Sequence, residues 1–147
     1  MDEALERLVA QQACRELVLH AAACADAGDA RALSLLFAED AELVRPNADH
    51  LYGREAIYVA YSQRPENRIS RHLITNTQVE LHLPERARAR SYVLLWTGTL
   101  IDSVGPAGSP ADARQMVGEF DDRLVCMSDG KWLIQQRHAR FVLHRDS

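Results

Sequence analysis

Beyond Pro65 the apolar residues of this chain change their spacing, and the change decides the class of fold. Before it they recur every three to four residues. Leu5, Leu8, Val9, Ala13, Leu17, Ala21 and Cys24 form one helical series, apolar almost all round in "LVLHAAACA", residues 17–25. Gly28 supplies a C-terminal stop, and Asp29 caps a short second helix, "ARALSLLF", residues 30–37. A strand "AELVR" follows at 41–45, then a turn-rich "PNADHLYG", then a third helix near "REAIYVAYSQR" that Pro65 ends. After it the period is two. Four long strands, about 70–83, 88–101, 114–127 and 131–144, finish the chain, and residues 102–113, "DSVGPAGSPADA", have the composition of a flexible loop. Helices first and antiparallel strands afterwards make the fold α+β, and 147 residues without an internal repeat make one domain, 1–147.

The first long strand is out of phase with itself. His72, Ile74 and Asn76 occupy even positions, whereas from Val79 onward the apolar residues are the odd ones, Val79, Leu81 and Leu83. Such a change of phase implies a bulge near Thr77. A bulge bends a sheet, and a bent sheet covered by helices on its concave side can enclose a pocket. His72 then shares a face with Ile74 that continues into Val79 and Leu81, so it points inward. An inward histidine is either a hydrogen-bonded core residue or a base, and a carboxylate partner would favour the second.

Asp26 is the candidate partner. It falls in the last turn of the first helix, where the macrodipole disfavours negative charge, and Asp29 already caps the next helix. On a helical wheel it lies near Leu8, Leu19 and Ala22, beside the apolar stripe, and burial of a carboxylate demands a partner. A solvated helix end, or an ion pair with Arg31 or Arg71, are the other duties open to it. The macrodipole alone predicts that Asp26→Asn stabilises the fold.

Much other chemistry lacks its signature. The balance of 17 basic against 21 acidic residues, with no long block of one sign, gives nucleic acid no footprint. Cys14, Cys24 and Cys126 show no C-x-x-C spacing and read as reduced packing residues; the six histidines show neither H-x-x-x-H nor H-E-x-x-H, so no metal is expected. G-x-S-x-G, G-x-G-x-x-G and G-x-x-x-x-G-K are all missing, which leaves acid and base work without a cofactor. Acidic residues stand where a secretory leader needs positive charge and no apolar run reaches the length of a membrane span, so a soluble, cytoplasmic protein is expected. Leu43, Tyr58, Tyr61, Ile74, Trp96 and Phe120 are the candidates to wall an apolar ligand.

The ordered set "ACADAGDARALSLLFAEDAELVRP", "LYGREAIYVAY", "SRHLITNTQVEL", "ARARSYVLLWTG" and "GEFDDRLVCMSDGKWLIQQR" resembles the polyketide-cyclase-like (SnoaL-like) branch of the nuclear transport factor 2-like superfamily, over roughly residues 5–144. The resemblance implies a cystatin-like cone: a curved antiparallel sheet wrapped by three helices around an apolar pocket, commonly paired as a homodimer through the outer sheet face. Scytalone dehydratase and hexachlorocyclohexane dehydrochlorinase belong to the superfamily and use an Asp-His dyad as general base, which Asp26 and His72 match. Arg137 matches a pocket arginine of the dehydrochlorinase, although two-residue alternation from Trp132 puts it on the opposite face unless that strand also bulges. Several relatives carry Tyr or Lys about five residues before the Asp, where this chain has Ala21, so no acid for a leaving hydroxyl is identified.

The leading expectation is a small cofactor-free lyase or isomerase, dehydratase-like, acting on an apolar cyclic or aromatic molecule. The alternatives are a ligand-binding module without turnover and a structural subunit resembling the small subunit of ring-hydroxylating dioxygenases. Asp26 and His72 are expected within hydrogen-bond reach inside the largest cavity.

Overall fold

A computed structural model describes residues 2–146. Helix α1 runs Glu3–Ala27. Asp2 caps its N-terminus by accepting from the Ala4 N–H, and Gly28, at φ 72, closes its C-terminus by donating to the Ala25 carbonyl. Only a residue free to adopt positive φ ends a helix this way at little cost, so the Gly28 stop has a physical reason. Asp29 then caps α2 through the Ala32 N–H.

Helix α2 is shorter than its spacing predicts: it spans Ala30–Ser34, and strand β1 already runs from Phe37 to Val44. Tertiary bonds overrule the local pattern. The Leu36 carbonyl accepts from the Ile134 N–H, and Arg54 holds the Phe37 carbonyl through Nε at 2.9 Å and Nη2 at 2.7 Å. The "PNADHLYG" segment also holds more than turns, since His50–Tyr52 form a short strand, β2, paired back onto Glu42–Val44. Helix α3 follows at Arg54–Ser62, then β3 Arg68–His82, β4 Arg86–Thr99, β5 Gln115–Cys126 and β6 Trp132–Arg145, all within two residues of the strands expected.

The six strands form one sheet in the order β2-β1-β6-β5-β4-β3. It is antiparallel except where β1 runs parallel to β6, so the antiparallel expectation holds for four of the five strand pairings and fails at that seam. Two irregularities steer the site. The β3–β4 register shifts between Thr75 and Gln78, with Asn76 at φ 54, which is the bulge read from the sequence. The β5–β6 register shifts between Arg123 and Leu124, leaving Gln135 as the extra residue.

The core lies between the helices and the concave side of the sheet. Leu17, Val18 and Ala21 from α1, Leu33 from α2 and Ile57 from α3 meet Leu43, Ala89, Leu124 and Ile134 from the strands. Ile57 is wholly buried, and truncating such a residue to Ala costs about 2–5 kcal/mol. The three cysteines are free, Cys14 and Cys24 within this core. Burial, with Cys126 nearby, pushes the Cys14 thiol up to about 12, so it stays a packing group at neutral pH.

Candidate active site

The last turn of α1 lies against the start of β3, and there the two residues singled out from the sequence meet. Asp26 Oδ1 is 2.6 Å from His72 Nδ1, and Asp26 Oδ2 accepts from the His72 backbone N–H at 3.0 Å. Ser70, two residues before His72 on the same face of β3, donates its hydroxyl to Asp26 Oδ1 at 2.9 Å. The open alternatives for Asp26 are taken elsewhere: Arg31 pairs with Glu55 at 2.7 Å, and Arg71 donates to the Ser70 carbonyl. Ser70 was not among the sequence candidates. Its small polar side chain at inward parity, i−2 from an inward histidine, is the signal that could have found it.

The electrostatics favour an ionised Asp26. Burial works against the charge, but the hydrogen bonds from the His72 side chain, the His72 backbone and Ser70 outweigh it, and the carboxyl lies below the usual carboxylate range. An ionised Asp26 accepting from Nδ1–H leaves His72 Nε2 as the ring nitrogen with a free lone pair. Both side chains are mostly buried, 15% and 20% exposed.

His72 borders an open cleft of about 470 Å³ between α3 and β3, with apolar atoms making most of its walls. It is not the largest hollow: one of about 690 Å³ lies on the far side of α1, beside Leu36 and Trp132, away from the dyad. The expectation that the largest cavity holds the pair is therefore wrong, because packing against α1 leaves the imidazole at a rim rather than in a chamber.

The other candidates divide. Tyr61 borders the His72 cleft, Ile74 packs against the core two residues beyond His72, and the Phe120 ring lies 6.4 Å from the imidazole, centroid to centroid. Leu43 is buried in the core opposite Arg137 in the β1–β6 ladder. Tyr58 stands apart. Arg31 covers its ring at 3.6 Å, and it lines a neighbouring hollow of about 440 Å³ that Asp26 and Tyr61 also touch. Trp96 is on the wrong face. It pairs with Arg71, while the adjacent Leu95 pairs with His72, so the Trp96 ring stands on the convex side and is 41% exposed.

Arg137 turns inward because Gln135 is the extra residue of the bulge, which reverses the parity that runs from Trp132. Its guanidinium lies 4.0 Å from the centroid of Phe120 and grips Asp122 twice, Nε to Oδ1 at 2.7 Å and Nη2 to Oδ2 at 2.9 Å. Burial opposes the charge, and Asp122 more than compensates, so the Arg137 pKa lies above the ordinary arginine value. Nη1 donates to no described residue, and no buried side-chain nitrogen or oxygen among the described residues lacks a partner, so Nη1 reaches solvent-accessible space. Asp122 escaped the sequence reading, although it alternates with Phe120 and Leu124 at inward parity and thus required a buried cation.

A helical layer folded onto a bent sheet, with an acid-histidine pair at its rim, defines a cone of the cystatin-like type. The sequence matches the family described as a SnoaL-like domain over residues 6–138, and the chain belongs to that family. Solved structures agree in fold. A scytalone dehydratase candidate from Novosphingobium aromaticivorans is 21% identical, with a TM-score of 0.82 over 98% of this chain and 91% of its own. Hexachlorocyclohexane dehydrochlorinase LinA type 2 is 15% identical, with a TM-score of 0.80 over 99% of this chain and 93% of its own. An NTF2-like protein with a cystatin-like fold, also from N. aromaticivorans, is 21% identical, with a TM-score of 0.74 over 95% and 86%. No curated protein matches the sequence. Among the described residues no helix is long and apolar enough to cross a membrane.

Proposed function

We propose that this chain is a small cofactor-free lyase or isomerase, dehydratase-like, in which His72 takes a proton from an apolar cyclic or aromatic molecule. The observation that carries the reading is the 2.6 Å contact between Asp26 Oδ1 and His72 Nδ1 at the wall of a mainly apolar cleft. Asp26 holds the Nδ1–H tautomer, so Nε2 is the base; the imidazolium that forms lies against a carboxylate that is already ionised. Ser70 and the His72 backbone N–H hold the carboxylate against rotation, which keeps the imidazole aimed. Tyr61 walls the substrate directly, while Ile74, Phe120 and Arg137 lie outside the cleft lining, Ile74 against the core, Phe120 beside the imidazole and Arg137 over the Phe120 ring.

The test is kinetic. His72→Ala lowers turnover by about 10²- to 10⁴-fold, the usual range for a general base. Asp26→Asn also lowers it strongly, and the double variant is little worse than the worse single one, because the two act as a unit. A loss under about tenfold for His72→Ala in a folded protein would sink the reading. One observation favours a binding module without turnover: Ala21, buried, stands where several relatives of the superfamily carry Tyr or Lys, and among the described residues no side chain hydrogen-bonds Nε2. Saturable binding with no conversion across a panel of cyclic alcohols and halides would select that second reading.

The same proposal takes the chain as a homodimer through its convex face. Leu73, Leu94, Val117 and Leu143 stand in ladder register across four strands, and the three leucines are exposed. Sedimentation at micromolar concentration that finds only monomer removes the dimer.

A further inference from the structure

The cleft beside His72 carries a charge that general-base chemistry does not use. Arg45, Arg64 and Arg68 border it, and no carboxylate does; Asp26, bonded to the imidazole, lies outside it. The three arginines are not equally committed. Arg68 is neutralised by Asp112, Nη2 to Oδ2 at 2.9 Å, and also donates to Thr99. Arg64 donates to the main-chain carbonyls of Ala25 and Arg68, where it offsets the negative end of α1, and meets no carboxylate. Arg45 makes no side-chain hydrogen bond or ion pair with any described residue; its guanidinium stands 5.3 Å from the Tyr61 ring centroid.

Asp49 and Glu55 share a neighbouring hollow with Arg45, and both are engaged by other side chains. Glu55 is held by Arg31, and Asp49 accepts from Asn47. In a chain of net charge −4, a guanidinium without a counter-ion, flanked by a second one that meets only carbonyls, makes a local excess of positive charge. Its planar fork fits a carboxylate, its weak hydration lowers the cost of pairing, and the Tyr61 face already restricts its rotamers.

Resting on the cleft being the substrate site, we infer that the molecule it takes is an acid: an apolar body carrying a carboxylate, or an oxyanion of the same planar shape, which Arg45 pairs. The oxyanion lies at the Arg45 and Tyr61 end, and the apolar body extends toward His72 Nε2. Arg45 is thus a specificity residue, choosing acids over neutral molecules of the same outline.

Calorimetric titration with 2-naphthoate and its neutral counterpart 2-naphthamide tests this. In the unaltered protein the naphthoate binds at least about tenfold tighter, as a hydrogen-bonded charge pair provides. The preference shrinks as salt is raised. Arg45→Met, which keeps an apolar stem against Tyr61, brings the ratio near one, and Arg45→Lys restores only part of it. His72→Ala keeps the preference, so the outcome is separable from that of the general-base reading. Equal binding of the two probes, a preference that survives Arg45→Met, or saturable binding of neither probe overturns the inference.

Discussion

On the concave face of the sheet two aspartates are each held by a nitrogen base, and they do different work. Asp26 meets His72 at the end of α1, with 15% and 20% of the side chains exposed and a cleft beside the ring. Asp122 meets Arg137 within the sheet, with 0% and 7% exposed, and the guanidinium is covered by Phe120. The imidazole keeps a ring nitrogen with a lone pair that can accept a proton, whereas the guanidinium has none. The Asp122–Arg137 pair is therefore a fixed charge arrangement that the core must satisfy, and the Asp26–His72 pair is a poised one. Phe120 lies beside both, its ring centroid 6.4 Å from that of His72 and 4.0 Å from the Arg137 guanidinium.

The contrast is sharpest in stability. Asp122→Ala strands a buried guanidinium and costs about 3–5 kcal/mol, read as a shift of the urea midpoint, while Asp122→Leu with Arg137→Met recovers most of the loss. A cost under about 1 kcal/mol would mean that water reaches the pair and that the two sites are alike. Asp26→Asn costs less, roughly 1–3 kcal/mol, from weakened hydrogen bonds to a charged acceptor. This reverses the stabilisation expected from the helix macrodipole, since three donors converge on Asp26 and outweigh the unfavourable helix end.

The cost of Asp26→Asn also depends on pH. Folding lowers the Asp26 pKa, so the carboxylate contributes stability above the ordinary carboxylate range, about pH 4, and loses it as pH falls through the folded value. The difference in urea midpoint between the unaltered protein and Asp26→Asn accordingly narrows below about pH 4; a difference constant from pH 7 to pH 3 would contradict the ionised pair. Ser70→Ala costs about 1 kcal/mol and Ser70→Thr less, because threonine keeps the hydroxyl. The smallest effect belongs to the convex face: Trp96→Phe changes naphthoate binding by less than about twofold, given that the ring stands on the other side of the sheet from the cleft.

The parts legible in the sequence were those written in local chemistry. Gly28 and Asp29 mark a helix end and a cap because backbone conformation and a short side chain decide both. The β3 bulge showed in the shift of apolar parity between Ile74 and Val79, and Asp26 stood out as a carboxylate without a local task. The second bulge was left open by the sequence, which put Arg137 on the outer face unless β6 bulged; the burial of both Ile134 and Ala139, of opposite parity, is what decides it.

Three things only the tertiary structure decided. Period two divides a strand into two faces without saying which one is inside, so Trp96 was placed inward with the other aromatics, whereas on β4 the small Ala87, Ala89 and Ser91 fill the crowded concave side. The helical pattern through Phe37 yielded to bonds from Ile134 to Leu36 and from Arg54 to Phe37, 98 and 17 positions apart, because such partners are chosen by the packed fold and not by neighbours in sequence. The same reason governs the site: Asp26 and His72 are 46 positions apart, and the residue types alone could not say whether α1 and β3 would bring them to 2.6 Å or leave each to solvent.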